Sequence, residues 1–191
     1  MKVRAAISAA VLAITLIVPA NAFAYLTWFE FTRQSNLAST LTMAWQYGPG
    51  FYGTQSWRAG SGVSTDACWI GHGWLPTGYY DLWGHWNNYD GKIAGRVFYL
   101  QNKPCWNGTW RTELFVHSEE TAGQGQYCPT AGDDPYCWEG PSDYYSNGCI
   151  KVSRAGYPSD LRLVHDGWHG KSGDSRHGYL TINNWLYVRD G

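Results

Sequence analysis

The sequence predicts a mainly β domain, a sandwich or irregular barrel with one short helix and long loops. Three observations carry this. Leu41, Met43, Trp45 and Tyr47 alternate with Thr42, Ala44 and Gln46, the period-two pattern of a half-buried strand. Turn residues recur at short intervals, as in Tyr47-Gly48-Pro49-Gly50 and Ala59-Gly60-Ser61-Gly62, which divides the chain into short strands. Twelve Trp and fourteen Tyr supply the wide amphipathic side chains that β-rich cores and their edges use.

In chain order, the first element is a leader. Met1-Lys2-Val3-Arg4 precedes an apolar run that ends in Pro19-Ala20-Asn21-Ala22-Phe23-Ala24, the pattern of a secretory signal peptide cleaved after Ala24. The run is shorter than the ~20 residues that span a bilayer, so a membrane is not expected as a partner after cleavage. Residues 25–191 then suit one domain. Further strands are predicted at 79–83, 96–100 and 112–116, a short helix at 158–164, and a closing strand or hairpin over 180–188 with Asn183-Asn184 at its turn. No repeat, linker or low-complexity tract divides the domain.

A net charge of −1 with few charged residues gives no reason to expect nucleic acid as a partner. Five cysteines, Cys68, Cys105, Cys128, Cys137 and Cys149, follow the leader. In an oxidising compartment an odd count leaves one thiol over. Cys128 and Cys137 bracket a Pro/Gly/Asp-rich segment and are expected to staple it, while Cys68 and Cys105 form a longer bridge. Cys149 is then the free thiol, although spacing alone does not fix connectivity.

Several side chains compete for a chemical role. The spacing of His165 and His169 fits a helical zinc pair, but Gly167 lies between them and no acidic base accompanies them, so no metal is expected. No cofactor is implied. His72 and His85 lie in Gly/Trp-rich loops. Glu113, Glu119, Glu120, Asp133, Asp134 and Glu139 offer carboxylates for glycoside hydrolysis, with no spacing that singles out a pair. His117 ends an apolar strand candidate, where a rigid element can present it at a cleft. Cys149 follows Ser146-Asn147-Gly148, and a glycine there permits close backbone approach and an oxyanion site made of backbone amides. A thiol with a histidine upstream supplies a nucleophile and its base.

The order His117-Ser118, then Ser146-Asn147-Gly148-Cys149-Ile150-Lys151, resembles the signature of the L,D-transpeptidase catalytic domain. The segment at residues 56–62 and Pro76-Thr77-Gly78-Tyr79-Tyr80 resemble the family's strand, glycine turn and following segment, so the likeness spans about residues 35–190. Asn147 stands where the family usually has histidine, Lys151 where it has Arg or Asn, and residues 119–145 form a longer connection than usual.

The resemblance implies an L,D-transpeptidase-like fold and a secreted or periplasmic transferase acting on peptidoglycan stem peptides in the cell-wall space. In that reading His117 takes the Cys149 proton and Ser118 orients the imidazole. The segment Ser146, Asn147 and Gly148, with Lys151, holds the oxyanion and substrate. A Cys149 thioester then passes to an amine or to water, and carbapenems acylate the same thiol. Two alternatives stand beside it: a Cys/His hydrolase in which His165 or His169 is the base, and a non-catalytic, aromatic-rich module that binds cell wall or carbohydrate.

Overall fold

The computed structural model describes residues 26–91, 93–120, 123, 125, 138, 143–153, 159–172, 184–191 and the backbone of 178–179. The expected leader, the Cys128–Cys137 staple, His177, Asn183, Asp133, Asp134 and Glu139 lie outside them.

Three strands open the domain as an antiparallel meander: β1 (Thr27–Arg33), β2 (Ser39–Gly48) and β3 (Phe51–Ser61). Long strands β4 (Gly78–Asp90) and β5 (Ala94–Leu100) follow, then a two-stranded ribbon of β6 (Lys103–Pro104) and β7 (Trp110–Arg111). Short strands β8 (Phe115–His117) and β9 (Ile150–Val152) precede the helix α1 (Asp160–Ser172), and β10 (Gly178–Tyr179) and β11 (Trp185–Asp190) complete the chain. Strand order runs β4-β11-β1-β2-β3-β9-β8-β5, and β5 pairs back to β4, so eight strands close into a barrel; β10 adds a short pairing along β4. The pairs β1–β11 and β8–β9 are parallel. The expected mainly β fold is therefore a barrel, and closure removes the sheet edges.

The alternation read from the sequence is the alternation between the inside and outside of this barrel. Phe29 and Phe31, Leu41 and Met43, Tyr80 and Leu82, and Leu186 and Val188 share one interior core with Phe98, Val116 and Ile150. Each successive inward position skips one residue, as strand geometry requires. Helix α1 contributes Val164 and Trp168 to the same core. Its start is capped by Ser159, whose Oγ accepts from the Arg162 amide at 3.2 Å. Gly167 does not interrupt it. A Cβ there would sit 3.0 Å from Met43 Cε, so glycine lets the helix approach the barrel closely.

Three local readings differ from the structure. The Ala59-Gly60-Ser61 segment is the end of β3 and not a turn; a Cβ on Gly60 would lie 2.3 Å from the carbonyl oxygens of Asn36 and Tyr144. Predicted strand 112–116 shortens to β8 because Glu113 adopts a left-handed backbone, φ 55°, which a strand does not continue through. The helix runs past 164 to Ser172, its inward residues being Leu161, Val164, His165 and Trp168.

Trp168 is fully buried and among the largest such side chains. Trp168→Ala is expected to cost about 3–5 kcal/mol of stability through the lost burial and the cavity. Urea unfolding followed by far-UV circular dichroism measures it; a loss below about 1 kcal/mol would mean that the helix is not part of the cooperative core.

Candidate active site

Strand register brings Cys149 and His117 to one face of the barrel wall. In the parallel β8–β9 pair Val116 faces Ile150 and His117 faces Lys151. Val116 and Ile150 point into the barrel, so Phe115, His117, Cys149 and Lys151 lie on its outer face. Cys149 is thus one diagonal step from His117, a spacing that side chains on one sheet face can bridge. Cys149 packs with Val97 and Phe115 in a small outer cluster flanked by Trp86, Tyr89 and Tyr99. It is the free cysteine among the described residues.

The turn before the thiol is tightly specified. Ser146 Oγ accepts from the amides of Gly62 at 2.9 Å and Gly148 at 3.2 Å, and donates to the Cys149 carbonyl at 2.6 Å. Gly148 has φ 108°, and a Cβ on it would lie 2.0 Å from Arg111 Nη2, so both backbone and space require glycine. The Gly148 amide, expected at an oxyanion site, is engaged by Ser146 Oγ instead. Asn147 is exposed at the rim.

Arg111 had no signal in the sequence. It is buried, 2% exposed, and its guanidinium donates to the carbonyls of Ala67 and, at 3.0 Å, Gly73, with Asn147 O 3.5 Å away. Burial lowers its pKa, and the nearby Cys149 sulfur in its charged form pulls it back up. Glu113, offered by the sequence only as one carboxylate among several, reaches the thiol through its backbone instead. It is the described non-glycine residue with positive φ, and its carbonyl accepts from Cys149 Sγ at 3.6 Å. Backbone strain of this kind gathers where a reactive group must be held. Neither residue belongs to the sequence motif; Arg111 reaches the thiol turn from the end of β7 and Glu113 from the backbone just before β8.

The resting protonation follows from burial. Desolvation pushes the Cys149 thiol up to about 11, outweighing the Phe115 amide and the Arg111 guanidinium, which both favour thiolate. Burial also holds His117 down to about 4, against the Ser118 carbonyl, which accepts from Nδ1 at 3.0 Å and favours the charged ring. That bond fixes the tautomer with the proton on Nδ1, leaving Nε2 as the proton acceptor. Ser118 therefore orients the ring through its backbone, and its buried Oγ has no partner among the described residues. At rest the thiol and the imidazole are both neutral. Sγ points to Glu113 and not to His117.

Lys151, expected to bind substrate, is only 1% exposed and forms ion pairs with Glu119 and Asp143, with the Trp138 ring 5.4 Å from its Nζ. Burial, reinforced by Asp143, pushes the Glu119 carboxyl up to about 8 despite Lys151, so this pair of carboxylates retains a proton near neutral pH. Glu120 pairs with Arg96. These carboxylates are committed to ion pairs. His165 and His169 lie with His85 at α1, apart from the thiol cluster.

A disulfide joins Cys68 to Cys105, the longer bridge expected, and is consistent with an extracellular or periplasmic setting. Beside it Trp69, Trp106 and Trp110 are exposed, Trp106 by 86%. Arg33, Asp66, Ala67, Trp74, Thr77 and Trp106 are among the residues that line a cleft of about 390 Å³ there. The carbonyls of Ala67 and Trp74 receive Arg111, so the cleft and the thiol turn share one wall. No protein-family model, curated protein or solved structure matches the chain.

Two outcomes follow from these protonation states. Iodoacetamide labelling of Cys149 should accelerate with pH up to about 11 without levelling off; a plateau near pH 6 would instead reveal a preformed thiolate–imidazolium pair. His117, held near 4 from an ordinary 6.5, contributes stability that is complete above about pH 6.5 and is lost as pH falls through 4. His117→Gln is expected to flatten that acid limb by about 3 kcal/mol in urea unfolding at pH 7 and pH 4.

Proposed function

We propose that the protein is an exported cysteine L,D-transpeptidase or L,D-carboxypeptidase that acts on peptidoglycan stem peptides. The observation that carries this reading is the β8–β9 register, with a free thiol and a carbonyl-anchored histidine on one outer face beside a glycine turn. The expected leader and the disulfide support an exported enzyme.

The chemistry needs a short rotation of Cys149 from Glu113 towards His117. Nε2 removes the thiol proton as sulfur attacks the carbonyl carbon of the stem-peptide amide, and backbone amides of the thiol turn hold the tetrahedral oxyanion. Collapse breaks the C–N bond, and the departing D-residue amine leaves with the proton carried by His117. The thioester is then attacked by an acceptor amine, giving a new amide, or by water, giving a shortened stem. In each case His117 takes the proton of the attacking group and the Cys149 thiol is restored. Arg111 places a fixed positive charge beside the sulfur, which favours the thiolate as it forms.

A second reading is favoured by the exposed Trp69, Trp106 and Trp110, which suit a non-catalytic face for cell-wall glycan. Intact mass with a carbapenem separates the two. We expect one adduct, mapped to Cys149, forming about 10²–10⁴-fold more slowly in His117→Ala. No adduct on folded protein, together with wall binding that survives Cys149→Ala and is lost in Trp106→Ala, would replace the enzyme with the binding module.

A further inference from the structure

We infer that His85, His165 and His169 bind one zinc-class divalent ion that ties helix α1 to strand β4. One nitrogen from each ring lies within 4.8 Å of the other two. His165 and His169 occupy i and i+4 on α1, a spacing that puts both on one helix face. His85 reaches them because β4 bulges between Leu82 and Gly84, which turns His85 to pair with inward-facing Phe98. Both His85 and His165 are wholly buried. Ring centroids are 4.7 Å apart for His85–His169 and for His165–His169.

The donor chemistry selects the ion. Neutral imidazole nitrogens are the donors that zinc-class ions take, and one from each of three rings converges here. Zinc binds imidazole nitrogen at ~2.0–2.1 Å, so tetrahedral ligands stand about 3.3 Å apart. Small side-chain rotations close that difference. Trp168, with its ring 4.5 Å from His85, and Phe98, 5.1 Å from His165, wall the site with apolar surface. Such walls strengthen metal–ligand interactions by excluding water. Calcium and magnesium require oxygen donors and do not fit three imidazoles. Three protein ligands leave the fourth position for water. The glycine that argues against a helical histidine pair in the sequence lies within the continuous helix.

The site is independent of Cys149 and His117, so its test uses full-length Cys149→Ala protein, which removes the competing thiol. Chelator-stripped protein is reloaded with one equivalent of zinc chloride, desalted and analysed for metal and melting temperature. The expected result is close to one zinc per chain, a higher melting temperature, and reversal of both by chelator. His169→Ala and His85→Gln should each weaken zinc binding at least tenfold. X-ray absorption on the loaded protein, which needs no variant to fold, should count three imidazole nitrogens at about 2.0 Å. Less than one tenth of an equivalent bound, fewer than three imidazoles around the zinc, or undiminished binding in folded His169→Ala would overturn the inference.

Discussion

The short parallel contact between β8 and β9 is the constraint on which the rest of the structure depends. Each strand contributes three residues, yet their pairing closes the barrel between β3 and β5. The contact joins segments more than thirty residues apart, so it forms only once loop-closure entropy has been met by burial elsewhere. Val116 and Ile150 supply that burial on the inside. On the outside, the same register delivers His117, Lys151 and Cys149 to one surface. Closure and site assembly are therefore one event.

Burial sets the chemistry on that surface. A thiol beside a guanidinium would ordinarily lose its proton more readily, but desolvation wins at Cys149 and keeps the sulfur neutral at rest. The same low dielectric keeps His117 neutral and thus competent to accept a proton. A neutral thiol oxidises slowly, since thiolate character controls that reactivity. The Arg111 guanidinium nearby is held by the carbonyls of Ala67 and Gly73. Lys151 does a different task. Held between Glu119 and Asp143, it ties the strand after the thiol to the segment after His117, a buried arrangement that favours one geometry more than it adds stability.

The contact between helix α1 and the barrel shows a related logic. A bulge in β4 and a glycine in α1 bring three imidazoles together between helix and barrel. The bulge departs from regular strand geometry, and the glycine, within a regular helix, allows a closer approach than a bulkier residue would permit. The aromatic residues divide similarly between roles: Trp168 fills the interior, while Trp106 and Trp110 remain in solvent beside the disulfide.

The sequence by itself determined the β class and the places of several long strands, because period-two burial and turn residues are local properties, and cysteine parity pointed to one thiol left over; the Cys68–Cys105 pairing was an expectation that the structure bore out. It also marked His117 and Cys149 as worth pairing, since a strand-end histidine and a glycine-flanked thiol are visible in short segments. Tertiary structure alone decided the rest. Arg111 reaches the thiol turn through carbonyls nearly forty residues away, which no spacing encodes. Lys151 changed from an expected substrate contact to a buried ion, because the carboxylates that neutralise it come from a different part of the chain. Gly167 weighed against a helical histidine pair in the sequence, yet it lies inside the helix, where its small size suits close packing on Met43. In each case the deciding quantity is the distance between groups remote in sequence, and only the closed barrel fixes that distance.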